Sequence, residues 1–255
     1  MSLRLAVLSL LLVAACTPDA AQTSPPSARN TSLAAGPIMG TVPAGQWRAV
    51  LIAGDNNSPA FDNGVLALRD RLAAKGVRDI RVLTSDPPRN PSAEIASAAN
   101  VSSALRNGGG EACLAFITSH GEQRGVVLRP ARGFINPATL DNALDAGCGG
   151  RPTVLIVSAC HSGIFLTPAM RQANRVVLTA SAADRVSFGC GAGDRFTYYD
   201  QCLLQQFDGA STWNELAQAT RTCVQALEER MGVHPPSRPQ VFVGAAVSDL
   251  RIPGR

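Results

Sequence analysis

Beyond residue 46 the chain alternates short apolar runs with longer stretches in which apolar residues recur every three or four positions. The runs are WRAVLIAG (47–54), IRVLTS (80–85), CLAFITS (113–119), TVLIVSA (153–159), RVVLTAS (175–181) and QVFVGAA (240–246). Short continuous apolar runs rich in Val and Ile predict strands buried on both faces. Between them, Phe61, Val65, Leu68 and Leu72 keep helical spacing and predict a helix over 60–75, stopped by Gly76. Ile95, Ala99 and Leu105 predict a weaker helix over 92–107, ended by NGGG, and shorter helices are expected over 137–146 and 197–207. Trp213, Leu216, Thr220, Val224 and Leu227 form one stripe of a helix over 213–231. GVVLR (125–129) reads as a short excursion. Strands alternating with helices predict an α/β domain with a mostly parallel six-stranded sheet flanked by helices on both sides. No internal repeat and no second domain are visible.

The pattern differs upstream. Residues 1–15 hold one Arg and then an apolar run too short to span a bilayer, which predicts a signal peptide. The run closes as LLVAAC, and small residues before a Cys resemble the bacterial lipobox. On that reading Cys16 is lipidated and the mature chain is anchored to a membrane rather than spanning it. The alternative is ordinary cleavage with Cys16 unmodified. Thr17, where an Asp is associated with inner-membrane retention, points to the periplasmic face of the outer membrane. Residues 16–45 are rich in Pro, Ser and Ala and predict a flexible tether, leaving 46–255 as the folded domain.

Net charge is +4 over 255 residues, with no basic run and no aromatic-basic stripe, which argues against nucleic acid as a partner. Cysteines stand at 16, 113, 148, 160, 190, 202 and 223. Export would allow disulfides. With Cys16 lipidated, the other six allow three bridges; if one of them is a working thiol, two bridges and a spare remain. The count does not decide between these.

The chemistry is read at the carboxyl ends of the strands, where sheets of this class carry their active groups. The third run ends in Ser119-His120-Gly121 and the fourth in Ala159-Cys160-His161. Neighbouring strands lie about 4.8 Å apart, so an imidazole and a thiol on adjacent strands come within a few ångströms of each other. A thiolate that attacks a carbonyl, with a His to move protons, is nucleophilic catalysis. Gly121 leaves its N–H open to a substrate oxygen, and with the N–H of Cys160 it would form an oxyanion hole. His161 neighbours Cys160 but points to the opposite side of an extended chain. His234, in VHPPS, reads as solvated. Cys160, His161 and Cys190 lack the usual spacing of zinc ligands, so no metal is expected.

A strand ending in His-Gly, followed some forty residues later by a strand ending in Ala-Cys, resembles the caspase-like cysteine peptidases and, more closely, their legumain family. VLIAGDNN resembles the family's first strand, ITSHG its third, VLIVSACHSG its fourth, and LTASAADRVSFGC with FTYYDQCLL the segment that builds the pocket for the residue before the cut. The resemblance covers roughly residues 47–205. It implies a three-layer caspase-like fold, with Cys160 as nucleophile, His120 as base, Gly121 as oxyanion donor and Asn56 orienting the His. It places Ser187 and Phe188 on the pocket wall, with Asp200 near the family's pocket Asp, one residue out of register. Asp62 stands where the family has a cation, and an acidic pocket would favour Arg or Lys before the cut. The family fold also implies a Cys113–Cys148 disulfide; pairing among Cys190, Cys202 and Cys223 stays open.

The expectation is a cysteine endopeptidase that cleaves peptide or protein substrates through a thioester intermediate, with no metal or organic cofactor. The alternatives are a transamidase using the same pair and a non-catalytic envelope binding module. Oligomeric state is not legible.

Overall fold

The apolar runs become the strands of one twisted sheet. A computed structural model describes residues 40–86, 92–129 and 133–254. The expected signal segment, Cys16 and most of the expected tether lie outside these described residues. Among the described residues, ten strands and five α-helices follow in chain order. They are β1 (Trp47–Ala53), α1 (Pro59–Ala74), β2 (Asp79–Thr84), β3 (Glu94–Ile95), α2 (Ala98–Arg106), β4 (Ala112–Thr118), β5 (Gly121–Glu122), β6 (Gly125–Leu128), β7 (Gly133–Ile135), α3 (Pro137–Cys148), β8 (Thr153–Ser158), β9 (Arg175–Thr179), α4 (Tyr198–Phe207), α5 (Trp213–Met231) and β10 (Gln240–Val243).

The main sheet has the order β10-β9-β8-β4-β1-β2-β3, and β10 alone runs antiparallel. It therefore has seven strands, not the six expected. The extra strand is β3, whose two exposed residues pair with Leu83 and Thr84 of β2. A two-residue edge strand leaves no hydrophobic period to read. It also takes the start of the helix expected over 92–107, so that α2 begins only after Ser97, whose side chain accepts the Asn100 N–H. The excursion at 125–129 becomes β6, the middle strand of a small antiparallel sheet β5-β6-β7.

Alternation along each strand divides the interior into two cores. From β1, Trp47, Ala49, Leu51 and Ala53 join α1, α4 and α5 on one face of the sheet. Val50 and Ile52 join α2 and α3 on the other. The result is a three-layer α/β fold. All seven side chains of the central strand β4 are buried; each large one contributes roughly 1.5–3 kcal/mol on leaving water. Polar side chains appear only toward the carboxyl end of this strand, at Thr118 and then at Ser119 and His120 beyond it.

Disulfides join Cys113 to Cys148 (Cα–Cα 6.1 Å) and Cys202 to Cys223 (Cα–Cα 5.6 Å). The first ties the amino end of β4 to the end of α3, away from the strand ends that carry His120 and Cys160. The second clamps α4 to α5. Among the described residues Cys160 and Cys190 are free thiols. Backbone pairing already reaches Gly40, whose carbonyl accepts the Arg251 N–H at 2.7 Å. No helix among the described residues is long and apolar enough to cross a membrane.

Candidate active site

Register brings the candidate residues together. β4 and β8 run parallel with Thr118 opposite Ser158, and the Ser119 N–H donates to the Ser158 carbonyl at 3.1 Å. Carried two residues further, this register sets His120 beside Cys160, both just past the carboxyl ends of their strands. On the other side of β4, Ala53 of β1 lies opposite Thr118. The turn after β1 therefore flanks His120.

His120 Nδ1 lies 3.0 Å from Asp55 Oδ2. A carboxylate partner calls for a proton on Nδ1, which leaves Nε2 as the basic nitrogen. The Phe61 ring stands edge-on to the imidazole, 5.1 Å between centroids, and restricts its tilt. Asn56, expected to orient the His, does not do so: it is exposed in the turn, while Asp55 is wholly buried. The reason is local. Asp55 Oδ1 accepts the Asn57 N–H at 2.8 Å, so the Asp closes its own turn and its other oxygen faces the ring. The DNN sequence carried this signal, since an Asp that bonds two residues ahead commonly heads such a turn. A second residue missed in the sequence, the cation Arg129, donates its Nε to Asp55 Oδ1 at 2.6 Å.

Gly121 packs against the end of β8. A Cβ there would overlap the Cys160 carbonyl oxygen and lie 2.9 Å from the Ala159 Cβ. The Val127 N–H donates to the His120 carbonyl at 2.9 Å, which makes Gly121 and Val126 a non-hydrogen-bonded pair of the β5–β6 ladder. The Gly121 N–H is thus left out of that ladder, as an oxyanion donor must be.

Cys160 is partly exposed, and its Sγ accepts the Ser187 N–H at 3.3 Å. His161 takes a left-handed conformation (φ 57°), which turns the chain sharply after Cys160. Its N–H donates to the Arg185 carbonyl at 2.7 Å, and its Nδ1 lies 3.0 Å from the Ala183 carbonyl. His161 therefore pins the 182–185 loop instead of serving Cys160. His234 is exposed.

Ser187 touches Cys160 through its N–H, and Phe188 packs near Tyr198, 6.3 Å between ring centroids. Both are partly exposed, and of the two Ser187 is the one in contact with the thiol. Asp200 does not line the cleft. It lies on the buried face of α4, fully covered, and accepts the Thr118 hydroxyl at 2.7 Å on Oδ2. Helical phase puts Asp200 inward together with Tyr199, Cys202 and Leu203, and Gly64 of α1 closes over it. Burial pushes its carboxyl up to about 6, against the hydroxyls of Ser158, Thr118 and Thr197, which favour the charged form. Asp62, read as replacing a cation, accepts the Thr84 hydroxyl at the end of β2. Cys190 is half-buried; burial raises its thiol, and the nearby Cys160 and Asp194 add to the effect. A raised thiol carries less of the reactive thiolate.

A mostly parallel sheet between two layers of helices defines the class: a three-layer α/β protein of caspase-like fold. The solved structure of caspase-1 from Spodoptera frugiperda is similar with a TM-score of 0.55 over 78% of this chain and 86% of that one. Sequence identity is 14%, so the likeness is one of fold. No curated protein sequence matches the chain. The Peptidase C13 family profile matches residues 93–230, more than half of the chain, and the protein belongs to that family. It is a cysteine-type peptidase whose substrates are peptides or proteins. The matched segment holds His120, Gly121, Cys160 and Ser187; Asp55 precedes it.

Proposed function

We propose that the protein is an exported, lipid-anchored cysteine endopeptidase working through Cys160 and His120. The observation that supports the catalytic part of this reading is the register of β4 and β8, by which both residues leave the sheet at the same end, with Asp55 on the Nδ1 side of the ring. His120 Nε2 takes the thiol proton, and Sγ attacks the scissile carbonyl. The Gly121 and Cys160 N–H groups receive the oxyanion. The amine leaves with the proton from His120, and the resulting thioester is hydrolysed by water that His120 activates. Asp55, in place of Asn56, holds the ring.

The lipid anchor on Cys16 is supported by the LLVAAC sequence alone, and the reading that the domain faces the periplasm from the outer membrane rests on that anchor and on Thr17. Its test is the mass of the mature N-terminus, with and without a Cys16→Ser substitution. The activity test is a mixed peptide pool. The wild type should cleave it and Cys160→Ala should not; equal turnover by both would sink this reading. A peptide-based electrophile should label Cys160 and spare Cys190.

A further inference from the structure

Arg129 touches the candidate machinery without a role in the dyad. It follows β6, and its N–H donates to the Gly54 carbonyl at 2.8 Å. Its Nε donates to Asp55 Oδ1 at 2.6 Å, on the oxygen that also accepts the Asn57 N–H at 2.8 Å. Oδ2 is left for His120 Nδ1 at 3.0 Å. The two oxygens of one carboxylate are thus divided, two donors on the first and the ring on the second. The Asp55 side chain is 0% exposed and that of Arg129 47%. A buried carboxylate needs a cation or several donors to remain charged, and a carboxylate held on one oxygen only can still turn about its last bond. The strand that Arg129 follows, β6, also holds the base, since the Val127 N–H donates to the His120 carbonyl. Asp55, Arg129 and His120 are therefore placed by one small antiparallel sheet and the end of β1.

We propose that Arg129 is a positioning residue. By holding Asp55 Oδ1 it presents Oδ2 squarely to His120 and fixes the ring with Nε2 on the thiol side. This rests on the reading of His120 as the base. A cation that served only to make the buried carboxylate tolerable would affect stability and leave the ring unchanged in the folded protein.

The test uses Arg129→Gln and Arg129→Lys in the full chain, with kcat and KM measured on a cleaved peptide. A second readout needs no turnover: the downfield proton resonance of the His120 Nδ1–H, identified by its loss in His120→Gln. Arg129→Gln should lower kcat by about ten- to a hundredfold, leave KM within about twofold, and shift or broaden the resonance. Arg129→Lys keeps the charge but not the planar fork, so it should fall between wild type and Gln in both readouts. In an Asp55→Asn background Arg129→Gln should cost no more than about a further twofold, because both act through one link. Unchanged kcat and resonance in folded Arg129→Gln would overturn the proposal, as would equal losses in both backgrounds. If Gln fails to fold, unchanged kcat and resonance in Arg129→Lys overturn it instead. A wild type that cleaves nothing while its resonance responds to Arg129→Gln would refute the peptidase mechanism and leave the positioning role standing.

Discussion

Asp55 Oδ2 faces His120 Nδ1 at 3.0 Å, and the Asp is buried while its neighbour Asn56 is solvent-exposed. The pair separates two side chains adjacent in sequence into one that orients the ring and one that does not. We expect Asp55→Asn to lower kcat by about 10²-fold or more, since an amide no longer selects the Nδ1–H tautomer. Asn56→Ala should stay within about twofold, as exposed turn residues without partners contribute little. Steady-state kinetics on one peptide checks both. Matching losses in the two variants would return the orienting role to Asn56.

Gly121 gives a steric prediction. A methyl group there meets the Cys160 carbonyl oxygen and the Ala159 Cβ, neither of them the end of a flexible side chain. The strand end must shift, and its N–H moves with it. Gly121→Ala should therefore cost about 10²–10³-fold in kcat, the range for removing one oxyanion donor, while circular dichroism still reports a folded protein. Full activity would mean that this N–H does not contact the reacting carbonyl.

How much of this was legible in the sequence follows from where each signal originates. Strands such as TVLIVSA are buried on both faces, so composition alone reveals them; β3 is two exposed residues held by β2 and is invisible without it. His120 and Cys160 stood out because polar residues end otherwise apolar strands, and parallel register then joins them. The DNN sequence signals that Asp55 heads a turn but not that it faces His120, because the direction of the GDNN turn is set by a tertiary contact. A side chain at Gly54 would overlap the Val127 carbonyl and the Ser119 side chain, so the end of β1 passes close beneath β6. No local pattern encodes that approach. Asp200 was read by alignment with a family pocket, whereas the phase of α4 turns it into the core.

The Cys113–Cys148 bridge sits at the amino end of β4 and should matter to stability more than to catalysis. It closes a 35-residue separation, for which loop-closure entropy gives about 4 kcal/mol. Cys113→Ala/Cys148→Ala should lower the urea midpoint accordingly. At temperatures where the variant remains folded, KM should be unchanged and kcat within about threefold. A loss of activity that tracks the substitution in fully folded protein would show that the bridge reaches the site.

Asp200 carries a pH prediction whose sign is opposite to that of a salt-bridged acid. Its carboxyl is raised from an ordinary 3.8 to about 6, chiefly by burial. Between those values the folded state holds a proton that the unfolded state has released. Stability from this group is therefore greatest below about pH 4, falls as pH rises toward about 6, and is flat above. A shift of roughly two units corresponds to about 3 kcal/mol, carried as a penalty at neutral pH. An amide can keep the acceptor for the Thr118 hydroxyl while removing the buried charge. Asp200→Asn should then match or fall below the wild type near pH 4 and exceed it at pH 8 by up to that amount. Urea midpoints measured for both proteins from pH 4 to pH 8 isolate the effect, because every other titrating group cancels in the difference. Parallel curves across that range would show that Asp200 is charged throughout and that its three hydroxyl neighbours outweigh its burial.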